Sequence, residues 1–234
     1  MRRGNPKRRR RVAQEAARLM YEEDVREYFR AKHLAVKRLF GRDARREGNL
    51  PSNGEIQAAL LHHAELAEGE VRTKRLAAMR LLALQTMSEL EEFSPRLIGS
   101  VGTGHIRHGS DIDIQLFGDD IDSVRYRLHY VGWPCEEKLV SFVKYGVYRE
   151  YRHFYIEDLV TIEMTLYPSR ELRFTPHSST NGQPIVRLKS ADLRSLIERE
   201  HLGELRDYLS SGQSLTPADF DTPLPTAFQG LLTQ

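Results

Sequence analysis

The stretch GSVGTGHIRHGSDIDIQLFG, residues 99–118, opens at the end of a short apolar strand candidate at residues 96–100 and closes in strict alternation. On a strand, Asp111, Asp113 and Gln115 share one face, and Ile112, Ile114 and Leu116 share the other. Carboxylates two residues apart leave the same face about 7 Å apart. From that spacing they can converge on a pair of cations. Mg²⁺ takes one or two carboxylates and completes its shell with phosphates and water. Two such ions about 4 Å apart activate an attacking hydroxyl and stabilise a leaving pyrophosphate. The same alternation also marks the wet face of a half-buried sheet, so its neighbours must separate the two readings.

Two neighbours favour chemistry. Leu159–Tyr167 alternates again, with Thr161, Glu163 and Thr165 opposite Val160, Ile162, Met164 and Leu166, so Glu163 is a third acid on a polar strand face. Gly99 and Ser100 form a turn after an apolar strand, which offers backbone N–H groups and a hydroxyl to phosphate oxygens. No Lys-Ser or Lys-Thr follows the glycines, which excludes a Walker A loop, and there is no strand-helix GxGxxG with a downstream ribose-binding acid.

Ile98-Gly99-Ser100, a ten-residue spacer and Asp111-Ile112-Asp113-Ile114 together resemble the signature of the polymerase β-like nucleotidyltransferase superfamily. Ile162-Glu163-Met164 resembles its third element, and the likeness to small bacterial stand-alone members covers roughly residues 76–167. The resemblance implies an α+β nucleotidyltransferase fold, a mixed, twisted β-sheet with helices packed on one side, preceded here by an N-terminal helical region. It implies that Asp111, Asp113 and Glu163 hold two Mg²⁺ ions, with Mn²⁺ as a substitute, Glu163 lying nearer the acceptor hydroxyl. Gly99 and Ser100 would bind the triphosphate of an NTP, Arg107 would neutralise it, and Ser110 would orient the loop. The implied reaction transfers a nucleoside monophosphate to a hydroxyl on RNA, protein or a small molecule and releases pyrophosphate. Thr103 stands where many members carry a basic residue, and Val101 and Gly102 leave the loop short of charge; Lys144 or Arg149 could supply it.

Working outward, charge is uneven. Of 35 Arg and Lys, seven lie in residues 1–12, leaving 28 against 33 Asp and Glu, so the rest of the chain carries about −5. A basic arm at residues 1–12 can neutralise nucleic-acid phosphates or simply be solvated. The segment RVAQEAARLMYEE, residues 11–23, replaces the apolar stretch a signal peptide would need. No apolar run reaches the roughly 18 residues of a membrane span, and the longest, LAAMRLLALQTM, is interrupted by Arg80. Cys135 is the sole cysteine, which excludes an internal disulfide. A cytoplasmic, membrane-free protein is expected.

Before residue 70 the pattern is helical. Val12, Ala16, Leu19 and Met20 share a face; Asp24 and Glu27 have capping-box spacing before a helix ending at Gly41; GRDARREGN is a polar loop; Ser52 and Glu55 open a helix ending at Gly69. A long helix follows over residues 70–92, closed by Ser94-Pro95, and later helices are expected at 120–131, 190–201 and on to Leu209, with paired strands at 138–145 and 148–156. The organisation expected is a disordered basic arm (1–12), a helical region (13–69), a nucleotidyltransferase domain (70–209) and a flexible Ser/Thr/Pro-rich tail (210–234).

Other features have plainer readings. His62 and His63 are adjacent and point about 100° apart on a helix, unlike a metal pair. His105 and His108 flank Arg107 and could contact a metal or phosphate but lack a third ligand; HSSTNGQPIV, residues 177–186, could approach the base or ribose, though Asn181-Gly182 reads better as an ordinary turn; Trp133 is a core-edge anchor; and the basic RAKHLAVKR, residues 30–38, could bind an acceptor but reads better as a solvated helix face. The rival to an enzyme is a nucleic-acid-binding or regulatory, antitoxin-like protein that uses the same fold to sense nucleotide.

Overall fold

In a computed structural model the described residues are 6–23, 25, 27–41, 50–107, 109–144, 147–178 and 182–220. They divide into two compact units, one comprising the described residues up to Arg72 with Ser178, Gly182 and Gln183, the other Thr73–His177 with residues 184–220.

The first unit is helical. Helix α1 (Pro6–Glu22) buries Val12, Ala13, Ala16, Ala17, Leu19 and Met20 against Ala31, Ala35 and Val36 of α2 (Tyr28–Phe40) and against Ile56. The arm expected at residues 1–12 is therefore helical from Pro6 onward. Two of its charges are engaged: Arg9 Nε donates to Glu55 Oε1 at 2.7 Å, and the Arg8 guanidinium lies 4.0 Å from the Phe40 ring centre. Residues 1–5, Asp24 and the polar loop at 42–49 lie outside the described residues. Glu27 is itself the N-terminal flanking residue of α2, with no side-chain cap, and Gly41 ends that helix with φ 75°.

Helix α3 (Asn53–Glu89) opens with a reciprocal capping box. Ser52 N–H donates to Glu55 Oε2 at 2.7 Å and Glu55 N–H to Ser52 Oγ at 3.1 Å. Gly69, with φ 52° and ψ −125°, interrupts its helical geometry.

The second unit is α+β, built on a five-stranded mixed sheet: β1 (Arg96–Ile98), β2 (Ile112–Phe117), β3 (Glu136–Lys144), β4 (Val147–Glu157) and β5 (Thr161–Tyr167), in the order β1-β2-β5-β4-β3. Only β2 and β5 pair in parallel; the other neighbours are antiparallel. The parallel pair needs a long crossover. Helix α5 (Ile121–Tyr130) and the β3–β4 hairpin supply it.

Alternation assigns the two faces. Ile112, Ile114 and Leu116 of β2, Phe154 and Ile156 of β4, and Ile162, Met164 and Leu166 of β5 join one core. The same core holds Met79 and Leu82 of α3, Val124 and Leu128 of α5, Leu193 and Ile197 of α6 (Ser190–Glu200) and Leu205 of α7 (Leu202–Ser210). A smaller cluster of Phe117, Tyr151 and Tyr167 packs with Leu172.

The tail expected to be flexible from residue 210 is instead packed as far as Phe220. Thr216 N–H donates to Asp219 Oδ2 at 2.7 Å, opening the short helix α8 (Pro217–Phe220), and Phe220 is buried in the main core with Leu215 against it. Residues 221–234 lie outside the described ones. No helix among the described residues is long and apolar enough to cross a membrane.

Candidate functional site

The second face of the sheet is ordered in rows by its register. Asp113 pairs with Glu163 across the parallel β2–β5 ladder, and Glu163 with Tyr155 across β5–β4. One step along, Gln115, Thr165 and His153 form a second row. Neighbouring strands lie about 4.8 Å apart, so facing side chains in a row meet. Two acids from segments fifty residues apart are thus brought side by side. Asp111 precedes β2 and is exposed, while Asp113 and Glu163 are half-buried.

The acids act on one another. Burial first, then the charges of Glu163 and Asp111, push the Asp113 carboxyl up to about 7. Carboxylates are hard oxygen donors, and a neighbouring carboxylate disfavours the charged form of the other. Among the described residues, no group of three or more His, Cys, Asp or Glu side chains stands close enough to hold an ion as arranged. Glu163 is held on one side: its Oε1 lies 2.6 Å from His153 Nδ1. Tyr155, beside them, has its hydroxyl pushed up by burial and by the Glu163 charge.

Gly99 follows β1 and begins the short helix α4 (Gly99–Thr103) with φ 72°, a conformation an L side chain adopts at a cost. A Cβ placed there would stand 2.2 Å from Asp113 Oδ2. Glycine is required twice over, by its backbone angle and by the carboxylate against it. Ser100 is half-buried, and its carbonyl accepts from the N–H groups of Gly104 and His105, closing the turn. Gly104 has φ 79°.

The loop from α4 to β2 contains Arg107 and Ser110. Ser110 Oγ accepts from Arg107 N–H at 2.9 Å, and Ser110 N–H donates to the Arg107 carbonyl at 3.1 Å, so the two brace a turn; the Arg107 side chain is half-exposed. His105 is exposed and Thr103 donates to the Gly99 carbonyl at 3.0 Å; His108 and Asn181 lie outside the described residues. Arg149 is six residues from Tyr155 on β4, about 20 Å along the strand, and pairs with Glu171 at 3.3 Å. It sits far from the acids. Nothing of the Lys144 side chain is described.

His62, His63 and the cysteine have ordinary settings. His63 Nε2 lies 3.4 Å from Glu22 Oε1 and edge-on to Tyr21, and His62 is exposed. Arg38 pairs with Glu23 and Lys32 with Asn53. Cys135 is exposed, and shielding by neighbouring atoms together with Glu137 pushes its thiol up, opposite to a reactive thiolate.

Two residues near the site were not singled out by sequence reasoning. His153 is one. The other is Arg80 on α3, 2% exposed, whose Nε donates to the Val101 carbonyl of α4 at 3.2 Å and whose Nη1 donates to Glu200 Oε2 at 2.7 Å. Nη1 also lies 2.9 Å from His201 Nε2. An arginine inside an apolar helix must be paired to be buried, so its position in LAAMRLLAL was the available signal. Comparison of the chain with protein-family models, with curated proteins and with solved structures returns no match.

Proposed function

We propose that the chain is a metal-dependent nucleotidyltransferase with the nucleotidyltransferase fold, moving a nucleoside monophosphate from an NTP to a hydroxyl acceptor. The observation that carries this reading is the meeting of three parts: Asp113 beside Glu163 in parallel register, Asp111 coupled to Asp113, and Gly99 in contact range of the Asp113 carboxylate. A wet sheet face would not need a side-chain-free, left-handed residue packed against one of its acids. The carboxylate donors fit Mg²⁺ or Mn²⁺.

Asp111, Asp113 and Glu163 would hold two ions, which when bound neutralise the triphosphate and lower the cost of forming the attacking oxyanion. Gly99 lets the chain approach the phosphates closely, and Ser100 offers its hydroxyl to them. The turn braced by Ser110 presents Arg107 toward the same anion. Glu163, outermost of the acids toward β4, orients the acceptor hydroxyl and receives its proton. The acceptor oxygen bonds to the α-phosphorus as the bond to the β-phosphate oxygen breaks, and pyrophosphate leaves. Catalysis of this kind is mostly positioning and charge neutralisation.

The test is transfer of α-labelled nucleotide by purified protein with Mg²⁺, each of the four NTPs in turn, and RNA, protein and small-molecule acceptors. Label transfer by the wild type that is lost in Asp111→Ala/Asp113→Ala supports the reading. Equal transfer by the double variant overturns it.

A further inference from the structure

Resting on that reading, we propose that His153 is the positioning residue of the third carboxylate: it grips one oxygen of Glu163 and leaves the other to the cation. His153 is 8% exposed and Glu163 sits across from it on the next strand, one row along. The contact at 2.6 Å is short for a nitrogen donor and an oxygen acceptor, as charge-assisted bonds are. A carboxylate oxygen offers only lone pairs, so the bridging proton belongs to Nδ1. His153 Nε2 is buried and finds no hydrogen-bond partner among the described residues. The imidazole is therefore committed through Nδ1 alone.

Its surroundings hold the ring still. Tyr155 stacks on it with centroids 6.1 Å apart and an interplanar angle of 22°, and Thr165 Oγ1 and Tyr155 Oη each lie 3.4 Å from Nδ1. A buried, stacked imidazole on a central strand is a fixed anchor, whereas Glu163 has three rotatable bonds and one exposed side. Glutamate is longer than aspartate and needs such an anchor to present one oxygen beside Asp113. Outer-sphere partners of ligating carboxylates have this orienting role, and their loss costs 10–100-fold in metal affinity. Because His153 is buried, it acts through Glu163 and does not touch substrate.

The experiment is Mn²⁺ binding to the full chain, followed by the free-ion electron paramagnetic resonance signal, with steady-state transfer alongside. The variants are His153→Phe, which fills the volume without a donor, His153→Asn, which restores an N–H donor, and Glu163→Gln. Far-UV circular dichroism selects folded variants, and His153→Asn keeps the test open if His153→Phe does not fold. The expected result is a ten- to hundredfold weaker Mn²⁺ affinity in His153→Phe, recovery to within about threefold in His153→Asn, and no further loss when His153→Phe is added to Glu163→Gln. The half-saturating metal concentration for transfer rises in parallel while KM for NTP stays within about twofold. Wild-type Mn²⁺ binding matched by His153→Phe overturns the role of His153 alone. Tighter binding by His153→Phe also overturns it, since His153 would then compete with the ion. Where only His153→Asn folds, affinity weakened as far as in Glu163→Gln overturns it. A wild type that binds no Mn²⁺ overturns both this role and the enzyme reading.

Discussion

Replacing Gly99 by alanine adds one methyl group at the tightest point of the site. Two costs follow. A residue other than glycine at φ 72° loses roughly 1–2 kcal/mol, because its Cβ crowds the following carbonyl. The new Cβ would also stand 2.2 Å from Asp113 Oδ2, while its 3.2 Å and 3.4 Å distances to Cγ and Cβ of Asp113 are bearable. Relief therefore comes from turning the carboxylate away by about 1 Å, and a misplacement of that size costs about 100-fold in rate. Gly99→Ala is expected to lose about 1–2 kcal/mol in urea unfolding and about 100-fold in kcat. Gly102→Ala is the matched control. It lies in the same short helix, and its added Cβ would meet only ordinary contacts at 3.7 Å or beyond. It should keep kcat within about threefold. Equal kcat values for the two variants, measured by transfer of α-labelled NTP, would refute the placement of Gly99 against a catalytic carboxylate.

Asp113 should also set a pH dependence of stability. Its carboxyl is raised from 3.8 to about 7, chiefly by burial, so between those values the folded chain holds a proton that the unfolded chain releases. Stability then falls as pH rises from about 4 to about 7, by up to about 4 kcal/mol at about 1.4 kcal/mol per unit. Asp113→Asn should flatten that slope and be the more stable protein at pH 8 in urea titrations, and a slope unchanged by the substitution would contradict the assignment. For Arg80→Met, loss of the bonds to Val101, Glu200 and His201 is expected to cost about 2–3 kcal/mol, read as a lower urea midpoint. A midpoint unchanged from the wild type would show that this network contributes nothing.

Local signals in the sequence were readable because their physics is local. Ser52 and Glu55 are three residues apart and cap each other; the alternation of 111–117 and 159–167 placed Asp113 and Glu163 on polar faces of their strands; Gly41 and Gly69 marked real interruptions. Register is not local. That Asp113 stands beside Glu163, and His153 one row along, depends on a parallel pairing and a hairpin that join distant segments. The two ends of the chain were misjudged by composition. Charge density hid the helix that begins at Pro6, and Ser, Thr and Pro around Leu215 and Phe220 hid two apolar anchors. Arg80 looked like an interruption of an apolar face, while it is a buried tie to the turn that carries Gly99.

The central claim is that Asp111, Asp113 and Glu163 make one cation site beside the Gly99-Ser100 turn. Crystals grown with Mn²⁺ and a non-hydrolysable NTP analogue test it directly through anomalous scattering. Two peaks among these three carboxylates, with the triphosphate against Gly99 and Ser100, are the result predicted. Manganese and nucleotide bound elsewhere, or a carboxylate cluster without anomalous density at saturating Mn²⁺, would contradict it.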